Sequence, residues 1–301
     1  MTIGRRLRYL LEFVIVWCLV KLFGLLPLDT ASALGGVIAR TIGPHLGVSR
    51  RAMRNIERAL PEKTPLEIKA IVSGMWDNLG RTAAEFPHFN RLDMNDETDR
   101  FELVDADIID NLRNDDIGAI LFTAHVGNWE LTSLSVAQRG LPLTTVYRQA
   151  NNPYVESLLS KLRRPASGKM FVPKGSQGAR ALIGALKNSD HLGLLVDQKM
   201  NDGIAVPFFG RDAMTAPALA QLALRFNVPI VPGHNVRLGG ARFRIVFEPA
   251  IEPANTGNRD DDVKETMRRV NAHMEGWIRA HPEQWLWLHN RWPDDVKETD
   301  A

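Results

Sequence analysis

The hydrophobic positions of this chain fall into three regimes. From Tyr9 to Leu28 the residues are nearly all apolar, interrupted by Glu12 and Lys21. From Leu34 to about Pro87 the pattern is helical. Thr64-Pro65-Leu66-Glu67 forms a capping-box signature with proline at the first helical position, and Ile68, Ile71, Val72, Met75 and Leu79 follow at helical spacing. Beyond Asp105 short apolar runs alternate with amphipathic segments. Strands are predicted at Ile117–Thr123, Leu143–Tyr147, Leu192–Val196, Pro229–Val236 and Phe243–Phe247. Helices are predicted near Trp129–Arg139, Pro153–Arg163, Ser176–Lys187, Ala216–Phe226 and Asp261–Ala280. Such alternation argues for an α/β domain with a mostly parallel central sheet flanked by helices, its site at the strand ends. Gly239-Gly240 ahead of Phe243 predicts a hairpin that adds one antiparallel strand.

The N-terminal run allows three readings. Twenty helical residues rise about 30 Å, the thickness of the hydrocarbon layer. Arg5, Arg6 and Arg8 ahead of the run suit a retained anchor with a cytoplasmic N-terminus, and Ala31-Ser32-Ala33 would suit a signal-peptide cleavage site. A helix lying in the membrane interface would also tolerate the two internal charges. Glu12 and Lys21 weigh against cleavage, so residues 1–28 are read as a membrane anchor or interfacial helix, and residues 29–301 as one domain.

Bulk charge adds little, since 37 basic residues against 35 acidic ones imply no nucleic-acid partner. The single cysteine, Cys18, excludes a disulfide framework and a cysteine-based metal site. Local charge says more. Residues 148–187 carry eight basic side chains (Arg148, Lys161, Arg163, Arg164, Lys169, Lys174, Arg180 and Lys187) against the single acid Glu156. A solvated face is the usual meaning of such a run, but it would also suit a phosphorylated lipid or an acidic carrier protein.

The densest candidate chemistry follows the first predicted strand of the alternating region, in Gly118-Ala-Ile-Leu-Phe-Thr-Ala-His125-Val-Gly-Asn-Trp-Glu130. This reads as a buried strand, a turn at Gly127, and a helix opening at Asn128 or Trp129. On one continuous helix His125 and Glu130 would stand roughly 140° apart; a turn between them can bring the carboxylate back under the imidazole. A carboxylate that fixes a histidine tautomer makes a general base, and a helix N-terminus favours a developing anion. The plain alternative is a junction whose polar residues only cap it. Three further clusters fall at strand ends: Tyr147-Arg148, Asp197-Gln198, and Val206-Pro-Phe-Phe-Gly210 leading to Thr215. Arginine there suits an anion. Asp197-Gln198 equally suits ordinary capping, and Phe208-Phe209 suits core. Arg81 and Glu85, four apart, read as an exposed helical ion pair. No G-x-S-x-G, G-x-x-x-x-G-K-S/T, G-x-G-x-x-G or H-E-x-x-H occurs, and Cys18 sits in the apolar run. What remains is a base that activates a substrate hydroxyl for direct attack.

These residues in this order resemble the bacterial lipid A biosynthesis acyltransferases, which add secondary acyl chains to the Kdo-substituted lipid A precursor. The resemblance covers nearly the whole chain. It rests on the N-terminal apolar run, Asn78-Leu-Gly80-Arg81 with Glu85, His125-Val-Gly-Asn-Trp-Glu130, and Tyr147-Arg148 with Asn152-Pro153. It continues through Asp197-Gln198, Val206-Pro-Phe-Phe-Gly210 with Thr215, and the Trp287…Arg291 ending. It implies a glycerolipid-acyltransferase-like fold with His125 and Glu130 as the catalytic dyad. Arg148 would then serve substrate or transition-state charge, with Asn128, Asp197, Gln198, Tyr147, Thr215 and Arg81 in substrate binding. The implied donor is acyl-acyl carrier protein and the acceptor a phosphorylated glycolipid, at the inner membrane's cytoplasmic face, with no metal or other cofactor. The tail departs from the family, in which basic residues often follow; here Pro293-Asp-Asp-Val-Lys-Glu-Thr-Asp-Ala301 follows, which gives no basis for a phosphate contact. Two rivals stand beside this reading: acylation of another membrane glycolipid such as a phosphatidylinositol mannoside, from acyl-CoA or a carrier protein, and a membrane-anchored lipid-binding protein without turnover.

Overall fold

The computed structural model describes residues 3–94, 99–147, 149–173 and 175–292. Arg148, Lys174 and the acidic tail lie outside the described residues. A seven-stranded sheet runs through the domain in the order β1 (Phe101–Val104), β9 (Arg242–Phe247), β8 (Ile230–Gly239), β2 (Ile120–Thr123), β5 (His191–Leu195), β3 (Leu143–Tyr147) and β4 (Gly168–Pro173). Every neighbouring pair is parallel except β8–β9, the hairpin expected at Gly239-Gly240, where both glycines hold positive φ. All four residues of β2 are buried, as a central parallel strand covered on both faces requires. The loop Val206–Gly210 belongs to a separate hairpin, β6 (Ile204–Phe208) and β7 (Arg211–Thr215). There Phe208 and Phe209 are core residues, as their apolar character suggested.

Helices α5 (Asp107–Asn114), α6 (Glu130–Gln138), α7 (Pro153–Ser167), α8 (Ser176–Lys187), α9 (Ala218–Phe226) and α10 (Arg259–Ala280) fill the crossovers and flanks. Ahead of the sheet come α1 (Ile3–Leu25), α2 (Leu28–Ile42), α3 (Val48–Ala59) and α4 (Pro65–Glu85). The Thr64 capping box opens α4 as the sequence predicts. Glu67 N–H donates to Thr64 Oγ1 at 3.3 Å, and Thr64 N–H donates to Glu67 Oε2 at 2.8 Å. Helices α2 and α4 approach backbone to backbone at Gly35 and Gly80. A Cβ on Gly80 would stand 2.2 Å from Gly35 O, and one on Gly35 2.4 Å from Gly80 O. Only glycine permits that spacing.

One expectation changes at the N-terminus. Residues 3–25 are helical, but no helix among the described residues is long and apolar enough to cross a membrane. Arg5, Arg6, Arg8, Glu12 and Lys21 interrupt α1, and its inner side is tied to the domain. Asn152 Nδ2 donates to Tyr9 O at 2.8 Å and to Glu12 Oε2 at 3.0 Å, and His88 Nε2 lies 3.0 Å from Phe23 O. A membrane-spanning anchor therefore finds no support. The outer side keeps Leu7, Leu11, Val14, Ile15, Leu22 and Leu25 at least half exposed.

Candidate active site

Sheet register builds the site. Thr123 at the end of β2 pairs with Leu195 at the end of β5, in parallel. His125 and Asp197 each stand two residues beyond the end of these neighbouring strands. His125 Nδ1 donates to Asp197 Oδ1 at 2.8 Å, and the His125 backbone N–H donates to Asp197 Oδ2 at 2.9 Å. Trp285 Nε1 also donates to Oδ2, at 2.8 Å. With Nδ1 committed to the carboxylate, Nε2 is left as the basic nitrogen.

The partner that fixes the imidazole is thus Asp197, whereas the sequence pointed to Glu130. Glu130 opens α6 and pairs instead with Arg163 of α7, Arg163 Nε to Glu130 Oε1 at 3.1 Å. Both charges reach His125 through space. Burial by itself would lower the His125 pKa; the charge and hydrogen bond of Asp197, helped by Glu130 and opposed by Arg163, outweigh it and raise it. Burial also works against the Asp197 carboxylate, but the facing imidazole and its N–H donors hold it far below the usual range. Arg163, expected in a solvated basic face, is half-buried over the rings of Phe86 and Tyr147.

The turn between His125 and α6 is locked in place. Gly127 has φ +59°, and a Cβ there would lie 2.3 Å from Asn235 Oδ1. Its N–H donates to Gln284 O at 3.1 Å, and the Asn128 N–H donates to Asn235 Oδ1 at 2.8 Å. Asn235 lies on β8, the other neighbour of β2, and its Nδ2 returns a bond to Asn128 O at 2.8 Å. Asn128, placed by resemblance in substrate binding, is fully buried; its Nδ2 donates to Glu85 Oε2 at 2.8 Å.

Glu85 overturns the reading of an exposed pair with Arg81. It is 1% exposed and meets Arg237 of β8 in a buried ion pair, while Ser32 Oγ donates to its Oε1 at 2.7 Å. Arg237 Nε also donates to Asn78 Oδ1 at 2.9 Å, and Asn78 Nδ2 donates to Gly127 O at 2.8 Å. The network therefore runs from α4 through β8 to the His125 turn. Arg81 binds Asp77 on its own helix and reaches Ser32 on α2 at 3.3 Å.

The remaining expected residues divide. Gln198 Nε2 stands 3.4 Å from His125 Nε2 and 2.9 Å from His289 Nε2. Tyr147 donates its hydroxyl to Glu156 at 2.7 Å. Thr215 is buried and accepts from Arg291 Nη2 at 2.9 Å, so it seats an internal arginine. Arg291 has no exposure; burial pushes its pKa down to about 10, with the Asp197 charge acting against that fall. Beside His125, the side chains of Met75, Leu79, Trp129, Trp285 and Leu286 close, with Asn78 and Gln284, around a narrow cleft too tight to admit a water molecule.

Sequence reasoning missed the roles of Arg163, Asn235, Arg237, Trp285 and His289. One available signal was the matching position of His125 and Asp197, each just past a predicted strand. Another was the crowding of Trp285, Trp287, His289, Arg291 and Trp292 into one short segment. That segment lies across the site: Val126 and Trp285 form an antiparallel bridge, and Leu286 N–H donates to His125 O at 3.1 Å.

The site can be set beside known proteins. Residues 3–294 match the family model for bacterial lipid A biosynthesis acyltransferase. A lipid A biosynthesis acyltransferase of Haemophilus influenzae is 22% identical over 273 residues, covering 89% of this chain and 83% of the relative. A lipid A biosynthesis myristoyltransferase of Escherichia coli is 21% identical over 241 residues, 79% of this chain and 73% of the relative. A phosphatidylinositol mannoside acyltransferase of Mycobacterium tuberculosis is 25% identical over 271 residues, 87% of this chain and 82% of the relative. With nearly the whole chain matched, the chain is an acyltransferase belonging to the bacterial lipid A biosynthesis acyltransferase family.

Proposed function

We propose that the protein transfers a fatty acyl chain from acyl-acyl carrier protein to a hydroxyl of the Kdo-substituted lipid A precursor, working at the inner face of a bacterial inner membrane. The observation that carries this reading is His125, held by Asp197 through Nδ1 and its backbone N–H so that Nε2 is left as the basic nitrogen. His125 Nε2 removes the hydroxyl proton and the oxygen attacks the thioester carbonyl carbon, so no covalent acyl-enzyme forms. The Glu130–Arg163 pair sets the charge around the base. Arg148 keeps, by resemblance, the role of meeting negative charge on substrate or intermediate. The exposed apolar sides of α1 and α2, with Arg5, Arg6 and Arg8, support an interfacial position for residues 1–28, the remainder forming the catalytic domain.

A second reading is favoured by one observation, the 25% identity with a phosphatidylinositol mannoside acyltransferase. The two separate in one assay. Purified protein is incubated with labelled acyl-acyl carrier protein or acyl-CoA, and with lipid A precursor or phosphatidylinositol mannoside. Label in the lipid A precursor from the carrier-protein donor is expected. Label only in the mannoside would replace the first reading by the second.

A further inference from the structure

Attack on a thioester places negative charge on the carbonyl oxygen, and three backbone N–H groups that follow His125 are already committed. Val126 N–H donates to Ala124 O, Gly127 N–H to Gln284 O and Asn128 N–H to Asn235 Oδ1. The turn ahead of α6 therefore offers none of these three donors. A side chain stands nearer the reacting atoms. Gln198 Nε2 is an amide nitrogen, with two hydrogens to give and no capacity to accept. It lies 2.9 Å from His289 Nε2 and 3.4 Å from His125 Nε2. The first is a full hydrogen bond, so His289 Nε2 is the acceptor. The second is long, which leaves that hydrogen weakly used beside the nitrogen to which the attacking hydroxyl must come.

We propose that the Gln198 amide is the oxyanion donor of the acyl transfer and that His289 is the positioning residue that holds it there. The His289 backbone is itself held. Asn55 Nδ2 on α3 donates to His289 O at 2.7 Å and to Trp287 O at 2.8 Å, and Arg291 N–H donates to His289 O at 3.0 Å. The His289 ring centre is 5.7 Å from that of His125, on the same side as Gln198. In the step itself, the hydroxyl proton passes to His125 Nε2 as the oxygen–carbon bond forms. The carbonyl electron pair moves onto oxygen, where the Gln198 N–H meets it. The pair returns as the carbon–sulfur bond breaks, and the leaving thiolate takes the proton from His125. Preorganisation matters here, because a donor that must first be oriented loses most of its advantage.

This rests on the acyl-transfer reading, so the test has two arms. Kinetics use the full chain with acyl-acyl carrier protein and lipid A precursor as probes. Gln198→Ala should lower kcat on the order of 10²-fold, as for loss of one oxyanion donor. His289→Ala should lower kcat roughly 10-fold with KM for both substrates within about twofold, and the double variant should be no worse than Gln198→Ala. His289→Gln, whose Oε1 can accept the same N–H, should recover most of the loss. The second arm needs no turnover: 15N NMR of histidine-labelled protein should show the His289 Nε2 resonance moving in Gln198→Ala. If wild type fails to turn over, the substrate reading falls and the NMR arm decides the Gln198–His289 contact. A wild-type kcat in His289→Ala, losses that multiply in the double variant, or an unmoved His289 resonance would each overturn the proposal. Should His289→Ala fail to fold, His289→Gln and the NMR arm still decide.

Discussion

At the scale of single residues, His125 is subject to opposing effects whose balance sets its working range. Burial is the largest single effect and lowers its pKa, but the Asp197 charge, the Asp197 hydrogen bond and the Glu130 charge together raise it by more, so the pKa ends above the ordinary 6.5. A general base works only when neutral, so kcat/KM should climb with pH through a midpoint above 6.5. Asp197→Asn should move that midpoint down while lowering kcat about 10²-fold or more, since the tautomer is then no longer fixed. A pH–rate profile of both proteins checks this, and a midpoint that stays put in Asp197→Asn would separate Asp197 from the base. The stability sign follows from the same shift. A raised histidine pKa gives a contribution fully present below the unfolded value and lost as pH rises through the folded one. Neighbouring charges predict a second, opposed pair of shifts. Glu130 raises the His125 pKa and Arg163 lowers it. Glu130→Gln should therefore move the acid limb to lower pH and Arg163→Gln to higher pH. Shifts in the same direction would mean that the ion pair acts on folding and not on the base.

Among elements, the buried network between α4 and β8 decides how firmly the His125 turn is held. Glu85 and Arg237 are each nearly sealed from solvent and bonded to Asn128, Asn78 and Ser32. Removing one member leaves a buried charge alone, so Arg237→Met should destabilise by about 3–5 kcal/mol. Adding Glu85→Gln to Arg237→Met should return part of that loss, because the stranded charge is gone. Denaturant unfolding of the two variants measures it, and a double variant less stable than Arg237→Met would refute the account. Gly80→Leu should fail differently, by forcing α2 from α4 where no backbone can give way. These contacts also mark where the sequence could be read and where it could not. The strand from Leu143 to Tyr147 and the helix from Ser176 to Lys187 match their predicted bounds, because periodicity and turn residues act locally. Strand β1 is only partly buried and β4 lies inside a basic run, so neither shows a continuous apolar run or a period to see. Glu85 looked exposed because its partner Arg237 is 152 residues away. Asp197 was seen as a candidate but not as the partner of His125, since only strand register places them together across 72 residues.

On the scale of the whole molecule, the apolar surface has a direction. Leu7, Leu11, Val14, Ile15 and Leu22 on α1 and Leu34, Val37, Ile38 and Ile42 on α2 are exposed, while the inner side of α1 is bonded to Asn152 and His88. A helix anchored on one side and apolar on the other fits a membrane surface, and Arg5, Arg6 and Arg8 fit its anionic headgroups. Two effects should then separate by salt. Sedimentation with vesicles containing anionic lipid should weaken when Arg5, Arg6 and Arg8 are replaced by Gln, more so at low ionic strength than at high, because the Debye length falls to about 3 Å at 1 M salt. Replacing Leu11, Ile15 and Leu22 by Ser should weaken binding at every salt concentration, since burial of apolar area is not screened. Removing residues 1–26 should do both and also lower the melting temperature, because it strips the partners of Asn152, His88 and Tyr154. Vesicle binding by the triple Ser variant equal to wild type would move the membrane contact away from α1. An unchanged melting temperature after deletion would make residues 1–26 an appendage, in place of the packed helix described above.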